Sequence, residues 1–75
     1  MKEFVINIHT IDEVKRFVNT VSKYSYDVDV VSGRYAIDAK SIMGLFSLDL
    51  SKDLKIKIHS ESCDDLAEDL KPFIV

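Results

Sequence analysis

Apolar and polar residues alternate along this chain with two different periods. Over residues 2–9 (KEFVINIH) the period is two. Phe4, Ile6 and Ile8 fall on one face and Val5, Asn7 and His9 on the other, which predicts a half-buried strand. Thr10-Ile11-Asp12-Glu13 then has the form of a capping box. The Thr10 hydroxyl can accept from the amide three residues on, while Glu13 reaches back to the Thr10 amide. Asp12 and Glu13 also suit the positive end of a helix dipole. From there the period lengthens: Ile11, Val14, Phe17, Val18 and Val21 share one face, and Lys15, Arg16, Asn19 and Ser22 point away. A helix over about residues 11–23 follows.

Period two returns at residues 25–31, with Tyr26, Val28 and Val30 inward. Ser32-Gly33 marks a two-residue hairpin, because glycine supplies the positive φ such turns need, and residues 34–38 (RYAID) make the return strand. Ser41 is positioned to cap a short helix reaching about Ser47, which Gly44 weakens. Ser51-Lys52-Asp53 reads as a turn. Leu54, Ile56 and Ile58 then alternate with Lys55, Lys57 and His59 as a fourth strand. Ser62 is expected to cap a last helix carrying Leu66, Ala67 and Leu70, which stops before Pro72. The order is β-α-β-β-α-β-α. Each strand has one apolar face, so residues 1–75 are expected to form one α+β domain: an open-faced sandwich of a four-stranded sheet with three helices on one side.

Composition narrows the function. An apolar fraction of 47% in a 75-residue chain is enough for a core, although a small one. Cys63 is the only cysteine, which excludes an internal disulfide and any Cys-based zinc site; Asp64 and Asp65 beside it, with no basic neighbour, oppose a reactive thiolate. A net charge of −3 disfavours nucleic acid, and Asp27 and Asp29 interrupt the one aromatic group, Tyr24, Tyr26 and Tyr35. The apolar runs are too short to span a bilayer and no signal peptide is visible, so a cytoplasmic protein without a membrane partner is expected. No carboxylate pair, nucleophile–base set or glycine-rich phosphate loop points to an enzyme, and no cofactor or metal is expected.

The stretch Ser22–Ser47 is more specific. Lys23-Tyr24, the Ser32-Gly33 hairpin, Lys40-Ser41-Ile42-Met43-Gly44 and Ser-Leu-x-Leu at 47–50, in this element order, resemble the histidine-containing phosphocarrier (HPr) family of the sugar phosphotransferase system. The resemblance spans nearly the whole chain and implies an antiparallel sheet in the order 1-4-2-3. It implies Ser41 as a site for a dedicated serine kinase. It also implies that Ile42, Met43 and Phe46, with Lys15 and Arg16 alongside, form a docking face for protein partners such as phosphotransferase enzymes. If strands one and four are antiparallel neighbours, His9 and His59 lie at opposite ends of their ladder, on the order of 15–20 Å apart, too far to share a metal.

The family's phosphate-accepting segment is Gly-x-His-x-Arg-Pro at the start of the first long helix. Counting back from Phe17-Val18, its histidine falls on Thr10, its arginine on Asp12 and its proline on Glu13. A phosphate would meet a carboxylate where the family offers a guanidinium, and like charges about 4 Å apart repel by roughly 1–4 kcal/mol at surface dielectrics. Two readings follow. One is a regulatory or protein-interaction module, monomeric or weakly dimeric, whose phosphohistidine centre is lost. The other is an atypical carrier using His9, one residue from the expected place.

Overall fold

The computed structural model describes residues 1–75. The chain forms β1 (Lys2–Ile6), α1 (Ile11–Ser22), β2 (Val28–Ser32), β3 (Tyr35–Asp38), α2 (Ile42–Phe46), β4 (Leu54–Ile58) and α3 (Asp64–Asp69), with a 3₁₀ turn at Lys71–Phe73. The four strands form one antiparallel sheet in the order β1-β4-β2-β3. The three helices cover one face of it, as the residue pattern and the resemblance imply. No helix is long and apolar enough to cross a membrane.

The alternation decides the layers. Leu54, Ile56 and Ile58 of β4, Val28 and Val30 of β2 and Ile6 of β1 turn inward and are at most 2% exposed. Val14, Phe17 and Val21 of α1 and Leu66 of α3 meet them, and every buried side chain is apolar or the Cys63 thiol. Phe17 packs edge-on against Phe73, ring centroids 5.8 Å apart. The chain end straps the outer edge of β1: the Asn7 amide donates to the Phe73 carbonyl at 2.8 Å and the Val75 amide to the Val5 carbonyl at 3.0 Å. That pairing occupies backbone groups an edge strand would otherwise present.

Several details differ from expectation. β1 ends at Ile6 rather than His9, because its partner β4 begins at Leu54; Ile8 is nonetheless fully buried. The hairpin turn is Gly33-Arg34, one residue later than Ser32-Gly33. Ser32 pairs with Tyr35, and Gly33 takes φ 59° at the first turn position. Ile11 is 62% exposed, since as the first helical residue it stands on the flank of the stripe centred on Val14, Phe17 and Val21. Ser62 does not cap α3. Its amide donates to the Ser60 hydroxyl at 3.2 Å, and the cap position falls on Cys63, with no side-chain bond. Only one arm of the capping box at α1 forms as expected. The Glu13 amide donates to Thr10 Oγ1 at 3.1 Å, but the Thr10 hydroxyl, not its amide, donates to the Glu13 carboxylate at 3.2 Å.

A pair of tyrosines fastens α3 to the approach to β2. The rings of Tyr24 and Tyr26 stack at 5.9 Å; the Tyr26 hydroxyl donates to Asp65 at 2.9 Å and the Tyr24 hydroxyl to the Asp69 carboxylate. The hydrogen bond to Asp69, partial burial and nearby negative charge push the Tyr24 hydroxyl up to about 12. The bond to Asp65 raises Tyr26 in the same direction. A raised folded-state value means that this stabilisation is complete below the unfolded value of about 10. It is lost as pH climbs from there through about 12. The stability advantage of the parent over Tyr24→Phe, measured by urea unfolding, is therefore expected to hold from pH 7 to 9 and to shrink between pH 10 and 11.5.

Gly44 has a packing reason that outweighs helix propensity. A Cβ at this position would lie 2.6 Å from the Cγ2 methyl of Ile37, a stiff β-branched side chain on β3. Propensity alone favours Gly44→Ala by up to about 1 kcal/mol, whereas overpacking costs about 1–3 kcal/mol. Gly44→Ala is expected to lower the stability by about 1–2 kcal/mol in urea unfolding, where propensity alone would raise it.

Candidate functional site

Two helix starts and the loops around them collect the residues singled out from the sequence. α1 and α2 pack against one another. His9, in the loop entering α1, places its Nδ1 2.5 Å from the carbonyl oxygen of Leu50, in the loop leaving α2. A carbonyl only accepts, so Nδ1 carries the proton, and in the neutral ring the lone pair is on Nε2. The His9 ring is exposed.

The first turn of α1 has few free donors. Thr10 takes the Glu13 amide through its hydroxyl, and its carbonyl takes the Val14 amide at 3.0 Å. The amides of Ile11 and Asp12 remain. The ionic groups on this turn are the carboxylates of Asp12 and Glu13, and neither is ion-paired. No guanidinium accompanies them. Arg16 lies a turn further on, in a groove it shares with Glu13, Asp69 and Phe73 on the α3 side of the helix. Consecutive helix positions are about 100° apart, so Lys15 points elsewhere, onto the flank it shares with Ile11 four residues earlier. Ile11 and Lys15 thus belong together, and Arg16 does not join them.

At α2, Ser41 is exposed and its side chain accepts from the Gly44 amide at 3.3 Å, closing the first turn. The five-residue helix buries only Leu45. Ile42 is half-buried, Phe46 is 39% exposed and Met43 77% exposed. Met43 is this open on a small domain with Phe46 one turn away, and Ile11 is exposed on the neighbouring helix. Ile11 was hidden from sequence reading because it continues the core period. Its place as the first helical residue is the signal that could have found it.

His59 is remote from these residues. It lies beyond Ile58, which pairs with Lys2 at the opposite end of the β1–β4 ladder, and its Nε2 is 2.8 Å from Asp29 Oδ2. Cys63 is fully buried in the core.

A family model described as "PTS HPr component phosphorylation site" matches residues 12–74. The chain belongs to the HPr family. The match opens at Asp12. Among solved structures, HPr-C-His from Thermoanaerobacter tengcongensis is similar with a TM-score of 0.78 and 30% identity, over 93% of this chain and 86% of that one. A histidine-containing phosphocarrier protein from Mycoplasma aligns with a TM-score of 0.75 at 15% identity, over 95% of this chain and 89% of that one. The phosphocarrier protein HPr of Bacillus anthracis str. Ames gives 0.73 at 17% identity, over 99% and 96%. The last two identities speak to the fold alone.

Both helix starts of this HPr-family chain rely on a hydroxyl. Thr10→Ala and Ser41→Ala are each expected to cost about 0.5–2 kcal/mol of stability by urea unfolding. Ser41→Asp, which keeps an acceptor at the cap, is expected to stay close to the parent.

Proposed function

We propose that this protein is an HPr-family regulatory or interaction module, without a phosphohistidine, that docks protein partners through its helix layer. One observation carries the reading. At the start of α1, Thr10 caps the Glu13 amide and the only charges are the unpaired carboxylates of Asp12 and Glu13. A phosphoryl group needs donors and positive charge at such a place. Here it would meet one donor fewer and two negative charges.

The docking surface in this reading is Ile42, Met43 and Phe46 of α2 with Ile11 and Lys15 of α1. Support comes from the exposure of Met43 and Ile11, 77% and 62%, where burial would be the default for such side chains. Arg16 belongs to this surface only for a partner broad enough to reach around α1. Ser41 is the regulatory position. Its exposed hydroxyl stands at the head of α2 beside this surface, and a phosphate there would alter what docks while the helix dipole favours its charge. The partners are phosphotransferase-system proteins or a serine kinase, and no small-molecule turnover is assigned.

The reading is tested by incubation with phosphoenolpyruvate and the general phosphotransferase enzyme, followed by intact mass, with an authentic HPr alongside. The control should gain one acid-labile phosphate and this protein none. A gain that vanishes in His9→Ala would overturn the proposal in favour of a carrier using the free Nε2 of His9. Met43→Glu with Phe46→Glu is expected to weaken any bound partner at least tenfold by calorimetry while leaving the fold intact by circular dichroism.

A further inference from the structure

The two edges of the sheet differ. The outer edge of β1 is occupied by the end of the chain: Ile74 bridges to Ile6, and the Val75 amide donates to the Val5 carbonyl at 3.0 Å. The outer edge of β3 has no such cover, because β3 is last in the order β1-β4-β2-β3 and pairs only with β2. Ala39 fixes the direction of its backbone groups, since the Ala39 amide donates to the Val28 carbonyl at 2.8 Å. These groups alternate along a strand, so Ile37 and Tyr35 also face β2, while Ala36 and Asp38 point outward. An edge of this kind is a template for another strand.

The side chains on this edge lack partners. Arg34, Ala36 and Asp38 share the open face of the sheet, and Tyr35 and Ile37 share the helix face. Arg34 and Asp38 are exposed, and neither is ion-paired. Asp38 stands opposite Asp29 across the β2–β3 ladder, a like charge that destabilises the pair. Asp29 has compensation, with Lys57 opposite it on β4 and His59 2.8 Å from its carboxylate. Asp38 has none. Its side chain accepts only from the Lys40 amide, at 2.9 Å, and the Lys40 ammonium goes to the Tyr24 carbonyl instead. Tyr35 is 70% exposed.

From this we infer that β3 pairs antiparallel with β3 of a second copy, about a two-fold axis at Ala36. The segment Arg34-Tyr35-Ala36-Ile37-Asp38 is its own complement in that register. Arg34 of each copy stands opposite Asp38 of the other, on the same face, and Tyr35 stands opposite Ile37. The contact is made twice, as an isologous dimer requires. The phase agrees as well. The outward groups of Ala36 exchange two hydrogen bonds with Ala36 of the other copy, and the Asp38 amide reaches the Arg34 carbonyl. Other registers do not fit. Centring on Ile37 sets Arg34 against Lys40, centring on Tyr35 leaves both charges unmatched, and centring on Arg34 or Asp38 opposes like charges. A four-residue edge buries far less than the about 800 Å² per partner of a stable interface. The dimer is therefore weak, and its exposed ion pairs are screened by salt.

Sedimentation equilibrium of the whole chain tests this. In about 20 mM salt the mean mass should rise from 8.6 kDa towards twice that value as protein increases to about 2 mM, and about 500 mM salt should raise the dissociation constant several-fold. Arg34→Glu and Asp38→Arg should each be monomeric, because each sets like charges opposite in its own dimer. Their equimolar mixture should form a heterodimer, in which both charge pairs are again opposite in sign. Ala36→Pro removes an amide that faces away from β2 and should be monomeric with the fold intact by circular dichroism. Should a variant unfold, the parent still decides. Its amide NMR shifts at Ala36 and Asp38 should move with concentration, and those at Val5 and Met43 should not. A parent that stays monomeric at about 2 mM in low salt, or whose shifts move at β1 or the helix layer instead, overturns the inference. So does a mixture of folded Arg34→Glu and Asp38→Arg proteins that stays monomeric.

Discussion

The structure depends on β4 being hydrogen-bonded on both sides. It is the last strand in the chain, yet it lies between β1 and β2, pairing Lys2 with Ile58 on one side and Val28 with the same residue on the other. Without it, β1 and the β2–β3 hairpin do not meet. Its inward residues Leu54, Ile56 and Ile58 are at most 2% exposed, and each such burial contributes about 1.5–3 kcal/mol. Helices α1 and α2 both rest on the sheet that this strand completes. The geometry of the α1 and α2 starts is thus set by pairings more than forty residues away in sequence, contacts of the long-range kind that slow folding.

At the first turn of α1, helix stability and the binding of an anion draw on the same groups. A helix start is satisfied by an acceptor for its amides and by negative charge near its positive end, each worth a fraction to about 2 kcal/mol. Thr10, Asp12 and Glu13 supply both from within the chain. A phosphoryl group stabilised at the same place would draw on the same amides and the same field. The residues that make α1 secure in the resting protein are thus the ones that oppose a second anion there. Stability of the helix and acceptance of phosphate compete for one set of donors.

What could be read from the residues was whatever repeats along the chain. The period of two in Leu54, Ile56 and Ile58 and the longer period in Val14, Phe17 and Val21 carry their own evidence of burial, and the sandwich follows from them. The turn at Gly33 was visible as a glycine, but its register was not: the pairing of Asp29 with Asp38 decides which two residues form the loop. The Ser62 cap failed for a similar reason, since the Ser60 hydroxyl holds the Ser62 amide in a turn before the helix begins. The contacts of Tyr24 with Asp69, Tyr26 with Asp65 and His59 with Asp29 join residues thirty or more positions apart, and no local period announces them. The exposure of Met43 and Phe46 was legible because too many apolar residues crowd one short helix. Ile11 was not, because it keeps the core period while standing at the helix end.

In α2, packing decides exposure. Gly44 lies against the Ile37 methyl with no room for a Cβ, and Leu45 beside it is fully buried, so the orientation of this short helix is pinned at its middle. Once those two positions face the sheet, Met43 cannot, and it is left in solvent. Methionine is suited to such a place, because its unbranched thioether adapts to differently shaped surfaces. The exposure is therefore a consequence of how the helix seats.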